Sequence, residues 1–148
     1  MKPATVLLAL IGLLASVPAT AGDLEVEHYS SNPEMQLPFS DAVRVGDMLY
    51  LSGKLGNLPG TSQLAEGGIA GETRQTLENI KATLEKYGSS LDEVVKCTVF
   101  LADIAEWGAM NEVYKTYFPT DPPARSALGT SGLALGARVE IECFAAMR

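Results

Sequence analysis

Arg125 lies in the run Asp121-Pro122-Pro123-Ala124-Arg125-Ser126. The two prolines restrict the chain ahead of it, so the backbone that carries the guanidinium is held rather than free. A planar guanidinium can grip a small carboxylate through two parallel hydrogen bonds. Glu140 and Glu142 stand two apart in Val139-Glu140-Ile141-Glu142-Cys143. In a strand this spacing puts both carboxylates on one face and Val139, Ile141 and Cys143 on the other. The chemistry on offer is anion binding by an arginine and proton handling by a carboxylate. Read alone, the same residues also fit a solvated strand face and a surface arginine, and that plainer reading is the favoured one at this point.

Other chemistries are excluded by what the chain lacks. It has one histidine, His28, and two cysteines, Cys97 and Cys143. These cannot make a four-ligand zinc site from His and Cys, so no metal is expected. His28 lies in the N-terminal flank and reads as a surface residue, which leaves a nucleophilic serine or cysteine without a placed base. Eleven Lys and Arg against 18 Asp and Glu give a net charge of −7. Phosphate binding needs a basic face, so no nucleic-acid partner is expected. The glycines between residues 53 and 71 fit neither a phosphate-binding loop nor a dinucleotide fingerprint.

The N-terminal residues have a different character. Lys2 precedes a largely apolar stretch at residues 4–17, followed by Pro18 and Ala19-Thr20-Ala21. This is the layout of a secretory signal peptide with cleavage after Ala21. The stretch is short of the about 20 apolar residues that span a membrane. The expectation is a leader at 1–21 and one domain at 22–148, periplasmic or secreted, with no membrane attachment after cleavage. Loss of Lys2 would make the domain one charge more negative than the whole chain. In an oxidising compartment Cys97 and Cys143 could pair. Both lie in apolar β-like segments, and the strict geometry of a bridge favours two buried thiols instead.

The elements that must position Arg125 and Glu140 form one α/β unit. Residues 40–45 and 48–52 read as a hairpin around Gly46-Asp47. Residues 53–71 read as a surface crossing with one short strand. Leu77, Ile80, Leu84 and Tyr87 form an apolar stripe on a helix over 72–87, with Gly88 as its left-handed stop. Residues 93–101 read as a central strand. Asp103 and Glu106 have the spacing of a capping box for a second helix. Ile104, Trp107, Met110, Val113, Tyr114 and Tyr117 form that helix's apolar side, and Pro119 and Pro122-Pro123 end it. Residues 125–130 and 138–145 read as the last two strands. The order β-β-α-β-α-β-β places two helices on one face of a single sheet. The other face lacks a cover, which points to oligomerisation.

Several motifs in order now carry a resemblance. They are Tyr50-Leu51-Ser52-Gly53, the helix entry at residues 73–80, and residues 96–103 with Asn111 and Tyr114 after them. Pro123-Ala124-Arg125-Ser126 and Val139-Glu140-Ile141-Glu142 complete the set. From about residue 38 to residue 148 the chain resembles the RidA/YjgF family of reactive enamine and imine deaminases, also called the L-PSP endoribonuclease family. The resemblance implies an α+β, chorismate-mutase-like fold and a homotrimer with active sites between subunits. It assigns the substrate carboxylate to Arg125 and a hydrolytic water to Glu140. It places Ser52, Gly53 and Asn111 near the pocket. Phe39 stands where the family has a tyrosine, Ala127 where it has a cysteine, and Lys54 where it often has glutamine.

The implied reaction is hydrolysis of a 2-imino acid, or its enamine tautomer, to a 2-keto acid and ammonia. No metal or organic cofactor is implied, because an imine is already electrophilic. The alternative is a non-catalytic trimer that binds a small ligand or a protein, motivated by Phe39 and Ala127. An endoribonuclease is the third reading, and the acidic charge opposes it.

Overall fold

The computed structural model describes residues 24–31, 34 and 37–147; the leader expected at 1–21 lies outside them. The alternation read at the C-terminal end is physically realised in β7 (Val139–Ala146). Val139, Ile141, Cys143 and Ala145 are fully buried, while Glu140, Glu142, Phe144 and Ala146 are half-buried. Strand β7 pairs antiparallel on one side with β5 (Val94–Leu101). On its other side it pairs with β3 (Met48–Leu51) and the two-residue β4 (Lys54–Leu55). Beyond β3 come β2 (Ala42–Val45) and β1 (Val26–Tyr29). Beyond β5 comes β6 (Ala124–Gly129), parallel to it.

Helices α1 (Gly68–Lys86) and α2 (Trp107–Tyr117) pack together on one face of this sheet. Leu77, Ile80 and Leu84 of α1 and Met110 and Tyr114 of α2 meet Leu49, Leu51, Val99, Leu101 and Ile141 in one core. The opposite face carries Val43, Tyr50, Phe100, Phe144 and Leu128 among polar neighbours, and Tyr50 and Leu128 are exposed. The α+β class, the single mixed sheet and the one-sided helices agree with the reading of the sequence. Gly46 takes φ 56° in the hairpin turn, and Gly88 takes φ 84° just past α1, as their positions require.

The structure departs from the sequence reading at five places. First, α1 begins at Gly68, four residues before the expected start. Three glycines at 67, 68 and 71 mask a helix start to any propensity argument. Tertiary contacts hold the first turn instead: the buried Glu72 carboxylate accepts the Arg138 backbone N–H at 2.8 Å. Second, an additional strand, β1, pairs with β2. It places His28 opposite Val43, and Tyr29 stacks on Tyr87 at 4.6 Å.

Third, Asp103 caps a short 3₁₀ turn, accepting from Ala105 N at 2.9 Å, and the α-helix proper starts at Trp107. Glu106 pairs with Arg138 rather than reaching back to close a capping box. Fourth, Ile104 and Trp107 are exposed, so the packed stripe of α2 begins at Met110. Ile104 lies in the 3₁₀ turn, where the 3.6-residue period does not hold.

Fifth, Cys97 and Cys143 are joined in a disulfide, where free thiols had been expected. The two residues are directly opposed across β5 and β7 and both are fully buried. Register decides this pairing, and register is not visible in spacing along the chain. Reduction in denaturant followed by thiol alkylation should find no free thiol before reductant and two after it. Removing the bridge as Cys97→Ser/Cys143→Ser should cost about 2–4 kcal/mol in urea unfolding. An unchanged midpoint with unchanged slope would contradict a stabilising bridge.

Candidate active site

Strand β6 carries Arg125, and its register sets where the side chain goes. Arg125 lies beside Cys97 of β5, so it points to the helix-covered face. There its guanidinium sits 4.6 Å from the Tyr114 ring centroid and 5.8 Å from that of Trp107. Among the described residues no carboxylate pairs with it. Aromatic faces hold a cation without neutralising it, so the donors remain available to an anion. A cavity of about 400 Å³ opens here, lined by Arg125, Asn111, Tyr114, Phe118, Pro122 and Pro123, with Lys115 at its edge. The two prolines, read from the sequence as restricting the chain ahead of Arg125, also line this cavity beside it.

Two polar atoms of the residues lining this cavity are buried without a protein partner: Asn111 Oδ1 and the Tyr114 hydroxyl. Burial pushes the Tyr114 phenol up to about 12, against the opposing pull of Arg125. Tyr114 therefore stays neutral at pH 7 and stacks as a phenol.

Glu140 occupies the opposite face. It is directly opposed to Phe100 on β5 and Leu55 on β4. Burial raises its carboxyl above the ordinary range, and the nearby Glu142 raises it further. The chain beside it is irregular in a specific way. Tyr50 pairs with Phe144 and Lys54 with Ile141, so three residues on one strand span two on the other. This is a β-bulge, and Gly53 lies in it. A Cβ on Gly53 would overlap Glu140 Oε1 and lie 2.9 Å from Cδ. Glycine is what lets the carboxylate lie against the backbone.

The remaining expected site residues are placed as follows. Ser52 donates to the Ser40 carbonyl at 2.6 Å, tying the bulge to the start of β2. Phe39 is exposed. Ala127 packs against the core beside Val99. Lys54 pairs with Asp41 at 3.3 Å, and the Tyr87 hydroxyl reaches the same carboxylate at 3.3 Å. A single chain therefore gathers Arg125 with Asn111, and Glu140 with Gly53, but keeps the two groups on opposite faces of the sheet. Sequence reasoning placed Trp107 and Tyr114 in a packing stripe and missed that they flank the arginine. An aromatic residue at the N-terminus of α2 carries no signal of that role. Among the described residues no cluster of three His, Cys, Asp or Glu could hold a metal.

Comparison with known proteins gives the geometry a context. The family model described as endoribonuclease L-PSP matches residues 29–147. The mouse 2-iminobutanoate/2-iminopropanoate deaminase is 44% identical over 108 residues, covering 73% of this chain and 80% of the mouse protein. The Arabidopsis thaliana protein named Reactive Intermediate Deaminase A, chloroplastic, is 36% identical over 132 residues, covering 89% and 71%. The crystal structure of the yeast protein YEO7 superposes with a TM-score of 0.77 at 40% identity, covering 84% of this chain and all of the yeast one.

Trp107 is the sole tryptophan, so its emission reports on the Arg125 pocket. Titration with 2-oxobutanoate should change that emission, and Arg125→Ala should abolish the change. A spectrum that stays flat up to saturating ligand would rule out anion binding there. Gly53→Ala should keep the far-UV circular dichroism, because the flexible end of Glu140 can move aside. It should still lower turnover by about 10-fold or more by displacing that carboxylate.

Proposed function

This chain belongs to the endoribonuclease L-PSP family, the RidA/YjgF family whose motifs it carries, and from that premise we propose that it deaminates reactive 2-imino acids. Water adds to the imine carbon, the carbon–nitrogen bond breaks, and a 2-keto acid and ammonia leave. The observation that carries this reading is the Arg125 guanidinium, paired with no carboxylate among the described residues and backed by Tyr114 and Trp107 beside a cavity. It is of a kind that takes a substrate carboxylate, and relatives named 2-iminobutanoate/2-iminopropanoate deaminase and Reactive Intermediate Deaminase A match 73% and 89% of the chain.

In this reading Arg125 anchors the carboxylate and thereby places the imine carbon. Glu140 orients the attacking water, takes its proton and passes a proton to the departing nitrogen. Such acid–base help is worth about 10²–10⁴-fold. Neither role calls on a metal or an organic cofactor. The acidic charge of the chain opposes the ribonuclease activity in the family's other name.

The active protein is a homotrimer in this reading, with each site built between two subunits. Support comes from the placement of Arg125 and Glu140 on opposite sheet faces, which no motion of one intact sheet reconciles. A second support is the half-covered face bearing Tyr50, Phe100, Phe144 and Leu128. The chain works in the periplasm or outside the cell after removal of residues 1–21. The Cys97–Cys143 bridge favours such an oxidising compartment.

Freshly generated 2-iminobutanoate should yield 2-oxobutanoate faster with the protein than without it. Arg125→Ala should lower kcat/KM by at least about 10²-fold and Glu140→Gln by a similar factor. Co-refolding the two inactive variants at equal amounts tests the shared site. Randomly mixed trimers should recover about a quarter of the wild-type rate, the fraction of sites that join an intact Arg125 to an intact Glu140. No recovery would place both residues in a site made by one chain. Full activity of Arg125→Ala would sink the mechanism.

A further inference from the structure

We propose that Glu142 is the positioning residue that poises Glu140 for proton transfer. The inference rests on the deaminase reading of Glu140 and deepens it. Glu140 and Glu142 are two residues apart on β7 and project from the same face. Strand geometry sets their Cα atoms roughly 7 Å apart. On that face Glu142 is opposed by Thr98 and Glu140 by Phe100, so β5 offers neither a cation directly across.

The charged and titratable groups of each packed element turn elsewhere. Lys96 of β5 donates to Ser126 Oγ at 2.9 Å, toward β6. Lys54 of β4 is held by Asp41. Tyr50 of β3 packs against Phe144 at 5.0 Å. His28 of β1 lies at the far edge of the sheet near Ser40. Among the described residues neither glutamate has a hydrogen bond or an ion pair. Within one chain the charge that faces Glu140 is therefore another carboxylate. The missing side chain of Gly53 leaves the room in which Glu140 lies against the bulge, on the same face as Glu142.

Like charges in a partly dry setting disfavour the ionised form. Burial and Glu142 both raise Glu140, in that order. The reaction needs a group that first accepts a proton from water and then donates one to the leaving nitrogen. A carboxylate that holds its proton more tightly than usual is the stronger base for the first step, and it keeps that proton for the second. Glu142 supplies this tuning without touching the substrate, through charge rather than contact.

The test compares wild type with Glu142→Gln, which removes the charge, and Glu142→Asp, which keeps it. The acid limb of the kcat/KM profile reports protonation of Glu140, since activity falls as its carboxylate is neutralised. In Glu142→Gln the limb should move to lower pH, so the variant keeps a larger share of its own plateau rate in acid. Glu142→Asp should leave the limb in place. A direct carboxyl-carbon NMR titration of Glu140 should show the same displacement, whether or not the chosen imine is turned over. A Glu140 titration that is the same in wild type and Glu142→Gln overturns the proposal, as does an equal shift in Glu142→Asp. If the titration shifts but no imine is hydrolysed, the tuning stands and the deaminase reading fails.

Discussion

Everything in this structure depends on β7 having two unlike faces. One face is made of Val139, Ile141, Cys143 and Ala145 and is sealed under the helices. The other presents Glu140 and Glu142. A slip of one residue would bury two carboxylates in the core and expose the apolar set, at a cost of several kcal/mol for each charge. The register is therefore fixed by chemistry as well as by hydrogen bonds. It is fixed again by the bridge from Cys143 to Cys97. Because β5 is locked to β7 and β6 runs parallel to β5, the position of Arg125 follows from the same register. The arginine and the glutamate are two readings of one ladder.

The bulge at residues 51–53 is the break in that order that lies beside Glu140; another lies at Val95, where β5 shifts register against β7. The bulge beside Glu140 ends the pairing of β3, starts that of β4, and brings backbone where a side chain would otherwise stand. Gly53 is required there by contact rather than by dihedral angle. Ser52 ties the irregular turn to Ser40, so it is held by a hydrogen bond and not left to flex. The carboxylate thus lies against a turn that is itself held by a hydrogen bond.

How far the sequence reached can be judged residue by residue. The alternation in β7, the stripe Leu77, Ile80 and Leu84, and the stop at Gly88 were all legible because each is a local period or a local dihedral demand. The motifs around Arg125 and Glu140 were legible as a family resemblance. What was not legible is long-range. The disulfide depends on Cys97 and Cys143 meeting across two strands. The start of α1 depends on Glu72 finding the Arg138 backbone 66 positions away. Trp107 read as packing because an aromatic residue at helical spacing usually is packing. Its role beside Arg125 comes from β6, which the local sequence around Trp107 says nothing about.

The separation of the two functional groups has a physical logic of its own. A guanidinium and a carboxylate placed together in one half-buried site would pair with each other, and the pair would be hard to open for a ligand. Here the sheet stands between them. Arg125 is held instead by Tyr114 and Trp107, contacts worth about 0.5–2 kcal/mol that leave its donors unspent. Glu140 is half-buried beside a like charge, and both burial and that charge disfavour its ionised form. Each group is kept unsatisfied in its own way, one lacking an anion and the other lacking a cation. In the proposed trimer, a site that joined them across a subunit boundary would meet a substrate carrying both a carboxylate and a nitrogen that must leave. In that proposed assembly both deficits would be met at once, with substrate and partner subunit present together.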